Sequence, residues 1–390
     1  MSKAFKIGIW IENDNLPENG GGFSYAQRLV KEIDLKQFDK ELEIVFVGHN
    51  LNSNFLKNKI NINIKENFYK RKITNLFHKF LGINIYKKKK NLEEESIEIL
   101  KTHNVQLLFF TTPYIKIRNF PFIVTNWDLG HKTTYAFPEL SMNGQFNQRD
   151  EYFKNTLGEA LLICSESQEG KEEIIRNFHT FPDKIKILPM FAGSIIDQNI
   201  ISSEPVWATK IKSFFIYPAQ FWPHKNHYNL IIAFKHFLED RPGESHFLIL
   251  SGSDKGNLPY IHSLIKELNM EEYIITPGFI SIQELKWLYE NTNGLIFPSF
   301  LGPTNMPLLE ALSLGCKIAC SNLKGHKELL KDNAFYFDPK DHAEIKNAFI
   351  NLLNQDVAIH VVSRQTLDPE LDILEQIFLD AIPIRKVWGI

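Results

Sequence analysis

The most informative stretch of the sequence is residues 297–315, FPSFLGPTNMPLLEALSLG, where a strand end, a Gly/Pro turn and a helix pattern follow one another directly. In an open α/β sheet such a junction lies at the carboxyl edge, where the amides at a helix start attract phosphate. A carboxylate close behind it, here Glu310, can accept both hydroxyls of a ribose. The segment predicts a nucleotide site, and the alternative is an ordinary helix start with Pro307 in its first turn.

A lysine upstream has the charge that such a site needs. Lys225 lies just past the apolar run SFFIYP and before a helix pattern that opens at Asn226. This position would place its ammonium over the cleft as a point charge for phosphate. The alternatives are a solvated loop lysine for Lys225 and, for Glu310, an acid that interacts with the helix dipole.

A glycine triplet near the start is a candidate ligand contact. Gly20, Gly21 and Gly22 precede a helix pattern from Phe23 onward, and glycines allow positive φ and close approach of the backbone to a ligand. The triplet does not fit G-x-G-x-x-G, so a dinucleotide oxidoreductase is a poorer match. No Asp-x-Asp pair occurs, which favours stabilisation of a leaving group without metal. We therefore expect neither a metal nor a cofactor.

Short apolar runs alternate with amphipathic stretches along the chain, which is typical of parallel sheets wrapped by helices. The first series of predicted strands comprises residues 5–11, 42–48, 105–110, 121–125, 160–164 and 184–189. The second series comprises residues 213–218, 246–252, 273–278, 294–299 and 317–321. A polar segment near 197–205 separates them, and helix patterns follow at 341–353 and 368–380. We predict an α/β protein with domains at 1–200 and 201–365 and a terminal segment at 366–390.

Composition narrows the class of protein. The chain has 390 residues, enough for two cores, and 44% hydrophobic and 23% charged residues are in the range of soluble globular proteins. The formal net charge of −2 gives no reason to expect a nucleic-acid partner. The three cysteines form no CxxC pair and the first residues show no apolar leader, so we expect a reduced, cytoplasmic setting. No run of roughly 18 apolar residues occurs, so membrane contact should be peripheral.

Residues 217–226, YPAQFWPHKN, and the GPTNMP turn resemble the donor-binding half of a retaining glycosyltransferase of family 4 (glycosyltransferase group 1), which has the GT-B fold. The resemblance implies two Rossmann-like domains facing each other across a cleft, with a C-terminal helix that crosses back to the first. The first domain would bind the acceptor and the second a nucleotide sugar. Lys225 and Glu310 would be catalytic and hold the donor.

The resemblance implies further donor contacts. Backbone amides of Thr304, Asn305 and Met306 would bind the diphosphate. The corner formed by Gly278, Phe279 and Ile280 would offer backbone groups to the base. Gly21 and Gly22 would approach the donor from the first domain, and Gln220 would lie on the donor side.

Three positions depart from the family pattern. The His-Asp pair expected to face the donor sugar is Trp127 and Asp128, with His131 three residues later as the replacement we favour over the Trp127 ring. The first glutamate of the family's spaced pair falls on Gly302, and the arginine expected before Lys225 is Gln220. One carboxylate and one cation are missing together, so the identity of the donor sugar stays open.

We predict transfer of a sugar from a nucleotide donor to a glycan or lipid-linked acceptor, in surface polysaccharide biosynthesis. Retention needs no carboxylate nucleophile if the acceptor hydroxyl attacks on the face that the nucleotide leaves, since a phosphate oxygen can take its proton. The departures leave open a sugar-nucleotide-binding partner protein that has lost catalysis. A nucleotide-sugar epimerase would need additional acids, and none occurs at a recognisable spacing.

A basic stretch at residues 65–90 could touch a membrane. It carries many lysines against the single acid Glu66, and apolar residues fall at helical spacing between them. Such a helix could rest on anionic lipid headgroups and bring the cleft to a lipid-linked acceptor. The alternative is a surface helix whose apolar stripe packs on its own domain.

Overall fold

The computed structural model describes residues 4–12, 21–49, 51, 56–64, 85–134, 136–354 and 367–388, with residues 85–91 as backbone only. Two parallel sheets lie within this part of the chain, and helices cover both of them. The predicted α/β architecture with two Rossmann-like halves is confirmed. The exact domain boundaries remain a prediction.

The first half is a sheet of seven strands in the order β3-β2-β1-β4-β5-β6-β7. The strands are β1 Phe5–Trp10, β2 Leu42–His49, β3 Ile60–Ile64, β4 Leu107–Phe110, β5 Phe122–Asn126, β6 Leu162–Ser165 and β7 Ile185–Ile187. The helices are Gly21–Leu35, Ile85–Thr102, Gly130–Thr133, Pro138–Ser141, Gln145–Glu159 and Gln168–Phe178. The central strands are buried throughout, as their unbroken apolar runs require.

The second half is a sheet of six strands in the order β10-β9-β8-β11-β12-β13. The strands are β8 Phe214–Pro218, β9 Phe247–Ser251, β10 Ile274–Gly278, β11 Gly294–Phe297, β12 Ile318–Ser321 and β13 Phe335–Phe337. The helices are His227–Glu239, Leu258–Glu267, Ile282–Asn291, Met306–Ser313, Lys324–Leu330 and His342–Asn354. The strand order reverses between β8 and β11, and a reversal of this kind opens a crevice at the carboxyl ends of the strands.

Sequence patterns found the interior strands and missed two edge strands. β3 alternates asparagine with isoleucine and is half exposed, while β13 has only three residues. Edge strands carry a weaker apolar signal because one of their sides faces solvent or a loop.

The last helix, Asp368–Lys386, packs on the first half of the protein. Its Leu371, Leu374 and Phe378 join the apolar core beneath β1 and β4. The Phe378 ring lies 5.5 Å from the Phe109 ring, edge to face. The predicted return of the C-terminal helix to the first domain is confirmed.

The basic stretch is only partly visible. Residues 65–84 lie outside the described part of the chain, and the helix Ile85–Thr102 begins near the end of the stretch. Among the described residues, no helix combines the length and the apolarity that crossing a bilayer demands. The predicted membrane contact stays a prediction.

Candidate functional site

A cleft of about 1020 Å³ separates the two halves and contains most of the predicted site residues. Its second-half wall follows β8 and β11, the two strands at the reversal of strand order. Lys225 comes after β8, and the turn that ends at Met306 comes after β11. The fold therefore brings the two segments singled out in the sequence to one place, although 80 residues separate Lys225 from Asn305.

Lys225 is held by a tight turn and points to the second segment. It ends a short turn of 3₁₀ helix, and the Tyr217 hydroxyl donates a hydrogen bond of 2.7 Å to its carbonyl. Its Nζ donates to Asn305 Oδ1 at 2.9 Å and lies 5.2 Å from the centre of the Phe297 ring. Burial lowers the pKa of Lys225 to about 8, and the Asp128 carboxylate opposes that shift. The charged form therefore dominates at neutral pH.

Glu310 lies on the helix Met306–Ser313, with its side chain buried at the foot of the cleft. Burial raises its pKa to about 7, although the Tyr289 hydroxyl donates to Oε2 at 2.9 Å and favours the ionised form. This carboxyl group can accept hydrogen bonds from a diol once it is ionised.

The turn before this helix leaves the first helical amides without a side-chain cap. Thr304, Asn305 and Met306 all line the cleft. Asn305 occupies the N-cap position, yet its side chain makes no capping bond. Its amide instead contacts Leu301, His326 and Lys225. Uncapped amides at a helix start favour an anion.

Gly302 has a conformation that excludes a side chain. Its φ is +121°, and a Cβ built there would lie 2.4 Å from Asn305 Nδ2. The position that could have carried a family carboxylate is therefore filled by the Asn305 amide. The same turn thus leaves no room for an acidic side chain at position 302 and holds the Asn305 side chain in that space.

Gly21 and Gly22 line the cleft from the first half, but for a different reason than expected. The helix Gly21–Leu35 includes both, two residues earlier than predicted, and neither has a positive φ. A Cβ on Gly21 would lie 2.7 Å from Met306 Cβ, and one on Gly22 would lie 2.6 Å from the Trp127 ring. Gly21 allows the two halves to approach each other at Met306, and Gly22 allows Trp127 to approach within the first half.

Asp128 lies in the cleft and His131 does not. Asp128 Oδ1 accepts from Gly130 N at 2.8 Å and from Arg149 Nη2 at 3.1 Å. His131 is fully buried, stacked on Phe153 with ring centres 5.7 Å apart, and absent from the cleft wall. Burial lowers its pKa. The structure thus does not bring His131 to the position expected of it, and Trp127 is the residue next to Asp128 that lines the cleft.

Of the remaining predicted contacts, Gln220, Phe279 and Ile280 lie in the cleft wall, whereas Gly278 does not line it. Gln220 Oε1 accepts from Trp222 Nε1 at 3.0 Å, so its amide is oriented by a neighbour. Phe279 is 57% exposed and Ile280 lies next to it. Within the described residues no group of three or more His, Cys, Asp or Glu could hold a metal ion.

Sequence reasoning missed two residues of the first-half wall. Arg149 comes from the helix Gln145–Glu159 and reaches Asp128 across 21 positions of sequence. Glu139 accepts from His224 N at 3.0 Å and from its Nδ1 at 2.6 Å, so it joins the two halves. Although burial alone would raise the pKa of Glu139, the bonds from His224 lower it. No sequence motif marks either residue, because only the fold brings them to the cleft.

Comparison with known protein families bears on this site directly. Residues 203–366 match the family model described as Glycosyl transferases group 1. The matched residues make up the second of the two halves. The matched range contains Lys225, the 302–306 turn and Glu310.

The individual proteins that the chain resembles are distant in sequence. O-antigen chain mannosyltransferase B of Escherichia coli is 25% identical over 226 residues, 57% of this chain and 59% of that protein. N-acetylgalactosamine-N,N'-diacetylbacillosaminyl-diphospho-undecaprenol 4-alpha-N-acetylgalactosaminyltransferase of Campylobacter jejuni is 29% identical over 217 residues, 53% of this chain and 56% of that protein. The chain thus spans little more than half the length of these curated relatives.

The whole fold has solved counterparts. Anabaena HepE, crystallised in complex with UDP and glucose, superposes with a TM-score of 0.62 and covers 96% of this chain and 99% of its own. Its sequence identity of 15% limits this likeness to the fold. The GT-B architecture implied by the sequence resemblance is confirmed.

Proposed function

We propose that this protein is a retaining glycosyltransferase of family 4 that moves a sugar from a nucleotide-sugar donor to a glycan or lipid-linked acceptor. The observation that carries the proposal is the arrangement of Lys225, the uncapped helix start at Met306 and Glu310 along one wall of the cleft. A cation and free amides suit a diphosphate, and a buried carboxyl group behind them suits a ribose.

In this proposal the donor diphosphate lies between Lys225 Nζ and the amides of residues 304–306. Negative charge grows on the diphosphate as the bond to the sugar breaks, so groups already placed there stabilise the transition state more than the ground state. Glu310 accepts the ribose hydroxyls. The exposed Phe279 and its neighbour Ile280 flank the base, and the nucleotide itself stays open.

The acceptor then enters from the first half. Asp128, oriented by Arg149, and Trp127 form that wall. The acceptor hydroxyl attacks the anomeric carbon on the face from which the diphosphate departs, and a diphosphate oxygen takes the hydroxyl proton. This path retains configuration and needs no metal and no enzyme nucleophile, which is consistent with a site that positions its substrates.

The relatives suggest the biological setting. One is named for O-antigen chains and another for a diphospho-undecaprenol acceptor. We therefore propose a role in surface polysaccharide biosynthesis, at the cytoplasmic face of a membrane that carries the acceptor. Residues 65–90 are the proposed contact with its anionic headgroups.

The proposal is tested with purified full-length protein, labelled UDP-, GDP-, ADP- and CMP-sugars, and undecaprenyl-diphosphate-linked glycans as acceptors. We expect transfer from one class of donor, with retention of anomeric configuration by NMR of the product. Glu310→Gln should cost at least tenfold in kcat/KM, on the scale of one or two lost hydrogen bonds to a charged group. Glu290→Gln, an exposed acid of the neighbouring helix, is the matched control. Equal loss in both variants, or inversion of configuration, would contradict the proposal.

A second candidate is a sugar-nucleotide-binding partner protein without transferase activity. It is favoured by Gly302, Gln220 and Trp127, which replace groups that the resembled family uses. Calorimetry combined with the transfer assay separates the two candidates. Tight binding of a nucleotide sugar, with neither transfer nor slow hydrolysis of that sugar, would support the binding protein.

A further inference from the structure

The side-chain amide of Asn305 is fixed by neighbours on three sides. Its Nδ2 lies 2.9 Å from His326 Nε2 and 3.2 Å from the Leu301 carbonyl, and its Oδ1 accepts from Lys225 Nζ at 2.9 Å. His326 is fully buried on the helix Lys324–Leu330 and makes its other ring contact, from Nδ1, with the Ser321 carbonyl at 2.9 Å. These contacts connect the end of β12 to Lys225.

The direction of each hydrogen bond follows from chemistry. A carbonyl oxygen can only accept, so His326 Nδ1 carries the ring proton and Nε2 is an acceptor. Burial lowers the pKa of His326 to about 4, which keeps the ring neutral with a single proton. The group of Asn305 that faces Nε2 must therefore be the NH₂ group, and its oxygen must face Lys225.

We propose that His326 is a positioning residue that acts through Asn305 to hold the Lys225 ammonium in place for the diphosphate of the donor. This inference rests on the proposed function. Without the acceptor at Nε2, the Asn305 amide keeps one fixed partner on that side and can turn its NH₂ group toward the lysine. Two donor groups would then face each other, and Lys225 would leave its position.

Among the described residues, the titratable groups that interact electrostatically with Lys225 include Asp128 of the first half and His224, His227 and His326 of its own half. His326 is one of these groups and, through Asn305, also orients a direct hydrogen-bond acceptor of the ammonium. Its removal should therefore act on Lys225 specifically.

A double-mutant cycle on transfer rates tests this. His326→Phe keeps a ring against Phe297 and removes both nitrogens, so we expect kcat to fall about tenfold, the scale of one hydrogen bond. In the Lys225→Met background the same substitution should cost less than twofold, because the lysine that it positions is gone. His326→Gln, whose Oε1 can accept from Asn305, should recover most of the rate. The exposed His236→Phe is the control for ring substitution.

A second measurement does not need activity. Lysines are ¹³C-methylated, the Lys225 signal is assigned with Lys225→Arg, and its pKa is followed by NMR. We expect His326→Phe and Asn305→Ala to lower the Lys225 pKa, because the first lets the Asn305 oxygen turn away from the ammonium and the second removes that oxygen. His326→Gln should leave the Lys225 pKa near the wild-type value. If wild-type protein transfers no sugar from any donor, the proposed function fails while this measurement still decides the inference. Additive rates in the cycle, or a Lys225 pKa unmoved by both variants, would overturn it.

Discussion

At the scale of single residues, the half-buried Lys225 and the buried Glu310 set the charge of the proposed donor site. Lys225 and Glu310 are both shifted toward their neutral forms, with pKa values of about 8 and about 7. Each charged form is thus held in a poorly hydrated place, where its interaction with a ligand is stronger than in water. The same burial makes both groups sensitive to pH near neutrality.

This sensitivity predicts a bell-shaped dependence of kcat/KM for the donor. As pH rises through about 7, Glu310 ionises and becomes the better acceptor, and as pH rises through about 8, Lys225 loses its proton and its charge. We expect a maximum between these values, measured by initial rates in constant ionic strength buffers. Lys225→Arg should remove the alkaline fall because guanidinium stays charged. A Lys225→Arg profile with the wild-type alkaline limb would contradict the assignment.

At Gly302 we predict that restoring the residue of the family pattern is harmful. Restoring a glutamate there should lower activity, because φ is +121° and a Cβ would lie 2.4 Å from Asn305 Nδ2. We expect Gly302→Glu to reduce kcat at least tenfold, measured in the transfer assay. Gly243→Ala is the control: Gly243 has φ +88° with no atom within 4 Å of its built Cβ, so it should lose about 1 kcal/mol of stability and no activity. Higher activity in Gly302→Glu would show that the turn rearranges freely.

The sequence predicts that a residue lies in the cleft when the neighbours of that residue along the chain form a local pattern. Lys225, the 302–306 turn and Glu310 could be predicted for this reason, since each follows a strand end. Arg149 and Glu139 could not, because they are ordinary helical residues until folding brings them to Asp128 and His224. The position of His131, three residues after Asp128, predicts a place beside Asp128 across a turn. The short helix Gly130–Thr133 instead directs His131 into the core.

At the scale of elements, the cleft depends on how closely helix starts approach each other. The helix Gly21–Leu35 begins with two glycines that touch Met306 and Trp127. Sequence periodicity predicted this helix but not the contact, because the partners come from two other segments. The three segments can contact one another because Gly21 and Gly22 have no side chains.

Gly22→Ala tests that approach. The added methyl would lie 2.6 Å from the Trp127 ring, so Trp127 must move away and the first-half wall of the cleft must change. We expect a several-fold rise in acceptor KM with a small change in donor affinity, measured by separate substrate titrations. Gly158→Ala, in the helix Gln145–Glu159 with no atom within 4 Å of its built Cβ, should instead gain up to about 1 kcal/mol of stability with unchanged kinetics. Wild-type acceptor KM in Gly22→Ala would show that Trp127 does not form the acceptor wall.

At the scale of the whole molecule, contacts hold the two halves together beside the cleft. Glu139 of the first half accepts from His224 of the second, while the Glu328 carboxylate of the second half accepts from Gln168 N and Glu169 N at 2.7 and 3.0 Å. Glu328 thereby caps the helix Gln168–Phe178 from across the interface. The halves are therefore joined by specific polar contacts and also by the last helix, which follows the second half in sequence and packs on the first.

The last helix should contribute strongly to the stability of the first half. Phe378 is fully buried against Phe109 and Phe38, so Phe378→Ala should cost about 3 to 5 kcal/mol in unfolding free energy. Urea unfolding measures the loss of unfolding free energy, and hydrogen exchange at the amides of β1 and β4 shows that the loss lies in this core. Ile373→Ala, on the same helix and 37% exposed, should cost under about 1 kcal/mol. Equal losses would mean that the helix does not complete this core.

The position of that helix in the chain also has a consequence for biosynthesis. The core under β1 and β4 includes Leu371, Leu374 and Phe378, which the ribosome adds some 260 residues after Phe109 is made. Until this helix is made, the nascent first half exposes the apolar face that the helix covers. The second sheet, in contrast, is built from one continuous stretch of sequence. The half that is translated later is thus the one able to finish folding sooner.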